Sequence, residues 1–176
     1  MLAGDLPETS ALLTGGVRRN PSGRLPFNAV FMVDAAGKVA WYDKHILLPW
    51  VETSPSSLLG TYYSAPQQFA SGTTPLTLPV QQIKAGMSVC FESLYPGHVR
   101  QSAAEAQVLV NLANDSWFLD TIEPNLHLQV CRMRSIENRR DMLRSSNSGY
   151  SAVIAADGSI VARSNLFRRE TLSAPY

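Results

Sequence analysis

The run Val-Leu-Val-Asn-Leu-Ala at residues 108–113 constrains the fold more than any other stretch of this chain. Such a short, almost continuous apolar run lacks the length of a helix and the alternation of a strand with one wet face. It suits a strand covered on both sides, as parallel sheets require. Parallel neighbours must be joined by a crossover, usually helical, and the flanking sequence supplies one. Ile83–Cys90 reads as a strand and Gly97–Gln107, rich in Ala and without Pro, as a helix. Beyond the run, Ile122–Asp141 carries Leu126, Val130, Met133 and Ile136 at helical spacing, which predicts a long amphipathic helix burying that stripe.

The rest of the chain reads as hairpins and loops. Ala11–Thr14 is a short buried strand closed by Gly15-Gly16, and the stretch from Arg18 to Pro26 is a loop. Asn28–Val33 and Lys38–Tyr42 flank a turn at Asp34–Gly37, and Tyr150–Ala155 and Ser159–Arg163 flank Asp157-Gly158. Pro49 to Pro79 looks irregular, and loops of that length are usually functional. The expected fold class is α/β with a mixed sheet, in one domain over residues 1–176.

Composition narrows the function classes. The 176 residues carry a formal charge of +1, without the basic excess of a nucleic-acid binder. Two cysteines, Cys90 and Cys131, are too few for a disulfide framework. No apolar run approaches the roughly 18–20 residues of a membrane span, and the first residues do not read as a signal peptide. No Gly-rich phosphate loop, no His/Cys metal spacing and no Gly-x-Ser-x-Gly elbow is present, so no cofactor or metal is expected.

Several groups could carry chemistry. Cys90 closes a buried strand and precedes a helix, where a nucleophile can stand at the sheet's mouth with backbone N–H groups beside it; it can equally be a small buried apolar residue. Lys44 and His45 end the first hairpin, where a solvated charge and a structural imidazole are the ordinary readings. Asn111–Phe118 places two amides, a carboxylate and two aromatics past a buried strand, a common location for α/β binding sites; the same residues can cap a helix, through Asp115 or Ser116. Arg132, Arg134, Arg139, Arg140 and Arg144 read as a solvated face with ion pairs to Glu137 and Asp141. Cys131 is given no role.

Together these segments resemble the nitrilase (carbon–nitrogen hydrolase) superfamily, in particular its apolipoprotein N-acyltransferase branch. Tyr42-Asp43-Lys44-His45-Ile46-Leu47-Leu48-Pro49-Trp50-Val51-Glu52 is similar to the Tyr-x-Lys-x-His-Leu-x-Pro-Phe-Gly-Glu segment. Ser88-Val89-Cys90-Phe91-Glu92 resembles the Ile-Cys-Tyr-Glu nucleophile motif, and Asn114-Asp115-Ser116-Trp117-Phe118 resembles Asn-Asp-Ala-Trp-Phe, with Pro124 and His127-Leu128 following. Arg134-Ser135-Ile136-Glu137, Arg140, Arg144, Asn147-Ser148-Gly149 and Ser151 continue the match in order.

The resemblance implies a four-layer α-β-β-α sandwich and a Glu-Lys-Cys triad. Cys90 would be the nucleophile that takes an acyl group as a thioester, and Lys44 would steady the oxyanion with the backbone N–H of Phe91. Glu52 and Glu92 would be carboxylates positioning Lys44 and the substrate. Asn114 and Trp117 would belong to the substrate-binding side, with Trp117 shaping the mouth of the acyl pocket. Trp50-Val51 stands for the usual Phe-Gly, and Phe91 for the usual Tyr. The general-base Glu of the family lies upstream of the strand that Ala11–Thr14 resembles, with a helix between. Only Glu8 precedes that strand here, too close to be that residue. The chain therefore reads as an internal piece of a longer enzyme, inactive in isolation.

For the longer enzyme, the resemblance implies transfer of a fatty acyl group from a phospholipid donor to the N-terminal amine of a lipoprotein acceptor. It would work at the inner membrane, with this domain periplasmic and the membrane spans in segments outside this chain. A soluble cytoplasmic amidase or nitrilase of the same superfamily, with water as acceptor, is the alternative. A degenerate relative without turnover is a third.

Overall fold

The computed structural model describes residues 6–53 and 68–174. The chain divides into two compact units, residues 1–75 and 76–176.

The first unit is an antiparallel meander, β1 (Ala11–Arg18), β2 (Phe27–Asp34) and β3 (Val39–Asp43), in that spatial order. The β2–β3 turn closes as its sequence predicts. The Gly37 N–H donates to the Asp34 carbonyl at 3.0 Å with Gly37 at φ +80, a conformation that favours glycine. Ala29, Val30, Met32 and Tyr42 are buried here.

The first strand is longer than expected. Gly15-Gly16 does not end it; β1 stays paired with β2 from Ala11↔Asp34 to Arg18↔Phe27. The Phe31 ring lies across Gly16, 3.1 Å from where a Cβ would stand, and supplies the packing the glycine lacks. Arg18 ends the strand rather than opening a loop. Its guanidinium forks onto Asp43, with Nε donating to Oδ1 at 2.7 Å, and lies over the rings of Phe27 and Trp41.

The second unit holds a six-stranded sheet, β4 (Thr77–Val80), β5 (Ile83–Val89), β6 (Val108–Ala113), β7 (Met142–Ser146), β8 (Ala152–Ile154) and β9 (Ile160–Arg163), in sequence order. β5, β6 and β7 are parallel to one another, and the outer pairings are antiparallel. The 108–113 run is the central parallel strand its sequence predicts. The crossovers are helical: α1 (Pro96–Ala103) between β5 and β6, and α2 (Glu123–Asn138) between β6 and β7. Val99, Ala103, Leu109, Leu128, Cys131, Met142, Ala152 and Ile154 form the core between sheet and helices.

Four elements differ from expectation. The stretch expected to be irregular contains β4; its Pro79 is tolerated because, among the described residues, β4 pairs with β5 alone and its other edge has no ladder to interrupt. Residues 54–67 of that stretch lie outside the described residues. β5 stops at Val89, and α1 is shorter than Gly97–Gln107. β7, Met-Leu-Arg-Ser-Ser, has a polar sequence that hides a strand.

The larger correction concerns α2. Its expected apolar stripe is turned outward: Leu126, Met133 and Ile136 are exposed and Val130 is half-buried. The buried face carries His127, Leu128, Cys131, Arg134 and Ser135. The face turned inward packs Leu128 and Cys131 into the core and carries His127 into a polar network of buried partners, which a buried imidazole needs. α2 ends at Arg139, whose left-handed φ of +49 lets its N–H reach back to the Ile136 carbonyl. Among the described residues no helix is long and apolar enough to cross a membrane.

Candidate active site

Cys90 stands at a sharp elbow. β5 ends at Val89, Cys90 has φ +51, and one turn of 3-10 helix, Cys90–Leu94, leads into α1. A left-handed backbone at a residue with a Cβ costs about 1–2 kcal/mol, so the surroundings must impose it. Glu92, fully buried, turns back so that Oε2 accepts the Val89 N–H at 2.6 Å; its Oε1 lies 3.7 Å from His98 Nε2. The Cys90 carbonyl faces three donors: Ser93 Oγ at 3.1 Å, His127 Nε2 at 3.2 Å and Asn111 Nδ2 at 3.4 Å. Cys90 is partly exposed, and the Phe91 ring meets Tyr95 edge-on. A cysteine at the end of a parallel strand, with the first N–H groups of a helical turn after it, is a position from which a thiol could act as a nucleophile.

Lys44 and Glu52 meet in the first unit. Lys44 follows β3, where its N–H donates to the Asn28 carbonyl at 2.8 Å. Its Nζ lies 2.6 Å from Glu52 Oε2, and both side chains are buried. The Leu48 N–H donates to the same oxygen at 2.7 Å, and Asn28 Nδ2 to Oε1 at 2.8 Å, so the carboxylate is locked from both sides. Lys44 is therefore not the solvated charge that a strand end ordinarily carries. The Pro49–Thr53 turn that presents Glu52 takes its left-handed residue at Trp50, φ +67.

Asn114 and Trp117 are exposed at the end of β6. The Asn114 side-chain Oδ1 accepts the Ser116 N–H at 3.2 Å and the Asn147 side-chain amide at 3.4 Å. Asp115 is buried, and it caps no helix through its side chain. Its Oδ2 takes Arg144 at 2.6 Å and Ser146 Oγ at 2.9 Å, while Oδ1 faces His127 Nδ1 at 3.2 Å.

The solvated arginine face needs correction at Arg144, which is fully buried on β7. Beyond Asp115 it donates to Asn111 Oδ1, to the Tyr150 carbonyl at 3.1 Å and toward Cys131 Sγ at 3.6 Å. Arg134 is buried too and pairs with Glu137 at 3.0 Å. Arg140 donates to the Ala106 carbonyl at 2.7 Å, and Asp141 accepts the Ala156 N–H at 2.6 Å instead of pairing with an arginine. Asn111, His127 and Arg144 stand in segments the sequence singles out, but their shared buried role is one the sequence did not assign. The available signal was an asparagine inside an apolar strand and a histidine on a helix face opposite the apolar stripe.

Charge in this network follows from its contacts. Burial alone would raise the Asp115 carboxyl, but the hydrogen bond with His127 and the Arg144 charge outweigh it, and the group lies below its ordinary range. Burial, with help from the Asp115 charge, pushes Glu123 up. Burial also pushes the Cys131 thiol up, against the opposing pull of Arg144. Asp115, Glu123 and His127 each bring one donor atom within 4.8 Å of the others, the spacing of a metal centre. Arg144 already supplies the cation there, 2.6 Å from Asp115 and 3.2 Å from His127 Nδ1, so the cluster is an ion-pair core.

The carbon–nitrogen hydrolase family profile matches residues 8–175. The chain is similar to apolipoprotein N-acyltransferases: 33% identical to that of Bdellovibrio bacteriovorus, over 94% of this chain and 33% of that protein, and 36% identical to that of Ralstonia nicotianae, over 76% and 27%. It thus spans about a third of the length of the curated relatives it matches. Among solved structures, a mutant of the Nesterenkonia amidase from the nitrilase superfamily superposes with a TM-score of 0.67 at 20% identity, over 93% of this chain and 60% of that one. A carbon–nitrogen hydrolase from Helicobacter pylori gives 0.70 at 18% identity, over 91% and 59%. The fold is nitrilase-like α/β, and the chain belongs to the carbon–nitrogen hydrolase family.

Proposed function

We propose that the protein carrying this segment is an N-acyltransferase that moves a fatty acyl group from a phospholipid to the N-terminal amine of an apolipoprotein through a thioester on Cys90. The observation that carries this reading is the elbow at Cys90, in a chain about a third identical to apolipoprotein N-acyltransferases over most of its length. Cys90 gives its thiol proton to a base, and the thiolate attacks the ester carbonyl of the phospholipid. The Phe91 N–H receives the oxyanion, and the family resemblance assigns Lys44, held by Glu52, to steady it. Collapse breaks the acyl–oxygen bond, the lysophospholipid leaves with a proton, and Cys90 holds the acyl chain. The amine then attacks the thioester, forms the amide, and returns the sulfur to the thiol state with the amine's proton.

In this reading Glu92 supports the elbow, and Asn114 and Trp117 lie on the substrate-binding side, where the exposed indole at the mouth of the acyl pocket suits a greasy chain. The donor places the enzyme at the inner membrane, with this domain on the periplasmic side. The test is acyl exchange between a phospholipid and a lipopeptide by the full-length protein. Transfer that vanishes with Cys90→Ala, leaving an acyl-thioester trapped on the native enzyme when acceptor is withheld, supports the reading. Transfer surviving Cys90→Ala refutes it, and release of free fatty acid or ammonia without transfer favours a hydrolase.

A further inference from the structure

Two hydrogen-bonded paths run from one buried guanidinium to the carbonyl of the nucleophile, all within the second unit. On one path, Arg144 NH1 donates to Asn111 Oδ1, which fixes the amide so that Nδ2 points at Ser88 Oγ, at 3.0 Å, and at the Cys90 carbonyl. On the other, Arg144 NH2 holds Asp115 at 2.6 Å, and Asp115 with Arg144 brackets His127 Nδ1. The far nitrogen of that ring, Nε2, lies 3.2 Å from the Cys90 carbonyl and 3.0 Å from Ser93 Oγ. A carbonyl oxygen only accepts, so Nε2 carries the hydrogen. Asn111, Asp115, His127 and Arg144 are all buried, and of these Asn111 and His127 reach the Cys90 carbonyl oxygen.

We propose that Arg144 anchors a two-armed clamp on the Cys90 carbonyl, with Asn111 and His127 as positioning residues that hold the nucleophile in its left-handed conformation. The role rests on the acyl-transfer reading above. The physical reason is that the Cys90 carbonyl and the Phe91 N–H belong to one planar peptide. Donors that fix the oxygen on one side fix the direction of the N–H on the other, and that N–H is the one available to the oxyanion. Without the clamp the residue relaxes from φ +51 toward ordinary backbone, swinging both the sulfur and the amide. An error of about 1 Å in such a constellation can cost about 100-fold in rate.

The test uses three variants of the full-length protein. His127→Ala removes one arm. Asn111→Asp keeps the acceptor for Arg144 but replaces the donor to Cys90, and it serves where His127→Ala does not fold. His127→Gln restores an N–H near the position of Nε2. Single-turnover acylation of Cys90 by phospholipid is expected to fall about 10–100-fold in the first two, with KM within about twofold, and His127→Gln to recover most of the loss. Crystal structures of the first two should show Cys90 outside the left-handed region. Unchanged acylation in both, or Cys90 still near φ +51 in both, would overturn the clamp. If the native protein transfers no acyl group at all, the functional reading fails, while the backbone at Cys90 in the variants still decides for or against the clamp.

Discussion

Lys44 Nζ lies 2.6 Å from Glu52 Oε2 in the first unit, and neither side chain has appreciable access to water. A buried pair of this kind is a small net gain when whole and a large loss when half is removed. Glu52→Gln preserves shape and leaves the lysine opposite a neutral amide. The expected cost is about 3 kcal/mol of stability, read from the denaturant midpoint, together with a drop in acyl transfer. Glu52→Gln combined with Lys44→Met should recover much of the stability and none of the activity. Equal stability of Glu52→Gln and the native protein would show that the pair is not buried as described.

Asp115 and Glu123 should respond to pH with opposite signs. Asp115 lies below its ordinary value of 3.8 in the folded protein, so the unfolded chain binds that proton more tightly. Its contribution is complete above the ordinary value and is lost as pH falls through it toward the folded one. Asp115→Asn should therefore be less stable than the native protein at neutral pH and flatten the fall in urea midpoint below about pH 4. Glu123 lies above its ordinary 4.5, mainly through burial, so whatever stability its protonated form gives is present below that value and lost as pH rises. Its Oε2 is buried without a hydrogen-bond partner. Glu123→Gln should raise the midpoint at neutral pH and leave it nearly unchanged in acid; parallel curves for both variants would contradict these assignments.

The two cysteines should differ sharply toward an alkylating reagent. Cys90 is partly exposed, whereas Cys131 is buried in the core with its thiol pushed up by desolvation. Iodoacetamide at neutral pH should label Cys90 at least about tenfold faster than Cys131, as expected when one thiol is buried and raised by desolvation and the other residue is partly exposed. Peptide mass spectrometry against time reads this directly. Labelling of both at one rate would mean that the core around Cys131 opens as readily as the elbow.

What the sequence disclosed and withheld follows from where the determining contacts lie. The 108–113 strand is legible because a buried parallel strand needs only a local apolar run, and the Asp34–Gly37 and Asp157-Gly158 turns because their residues choose the backbone on the spot. Cys90 stands out as the junction of strand and helix. The inward face of α2 is not legible, because the polar partners of its His127 and Cys131, namely Asn111, Asp115 and Arg144, all lie off the helix. β7 is hidden for the same reason: Arg144 looks like a surface charge until the carboxylate that receives it, 2.6 Å away, is in view. Long-range polar pairing leaves no period in the sequence, whereas apolar packing does.

Gly149 offers a test of how rigid that pairing is. A Cβ at this position would overlap Asp115 Oδ2 and lie 2.8 Å from Ser146 Oγ. A flexible surface carboxylate would swing aside, but this one is fixed by Arg144 at 2.6 Å and by Ser146 at 2.9 Å. Gly149→Ala must therefore either move the 147–151 loop or break an arm of the network, at an overpacking cost of about 1–3 kcal/mol. A broken arm also loosens His127, so acylation of Cys90 should slow more than the lost stability explains. Gly149→Ala combined with Asp115→Asn should cost less than the sum of the two, because the second change releases the carboxylate that the first one strikes. Strict additivity in urea midpoints would mean that the alanine is absorbed by the loop and never reaches Asp115.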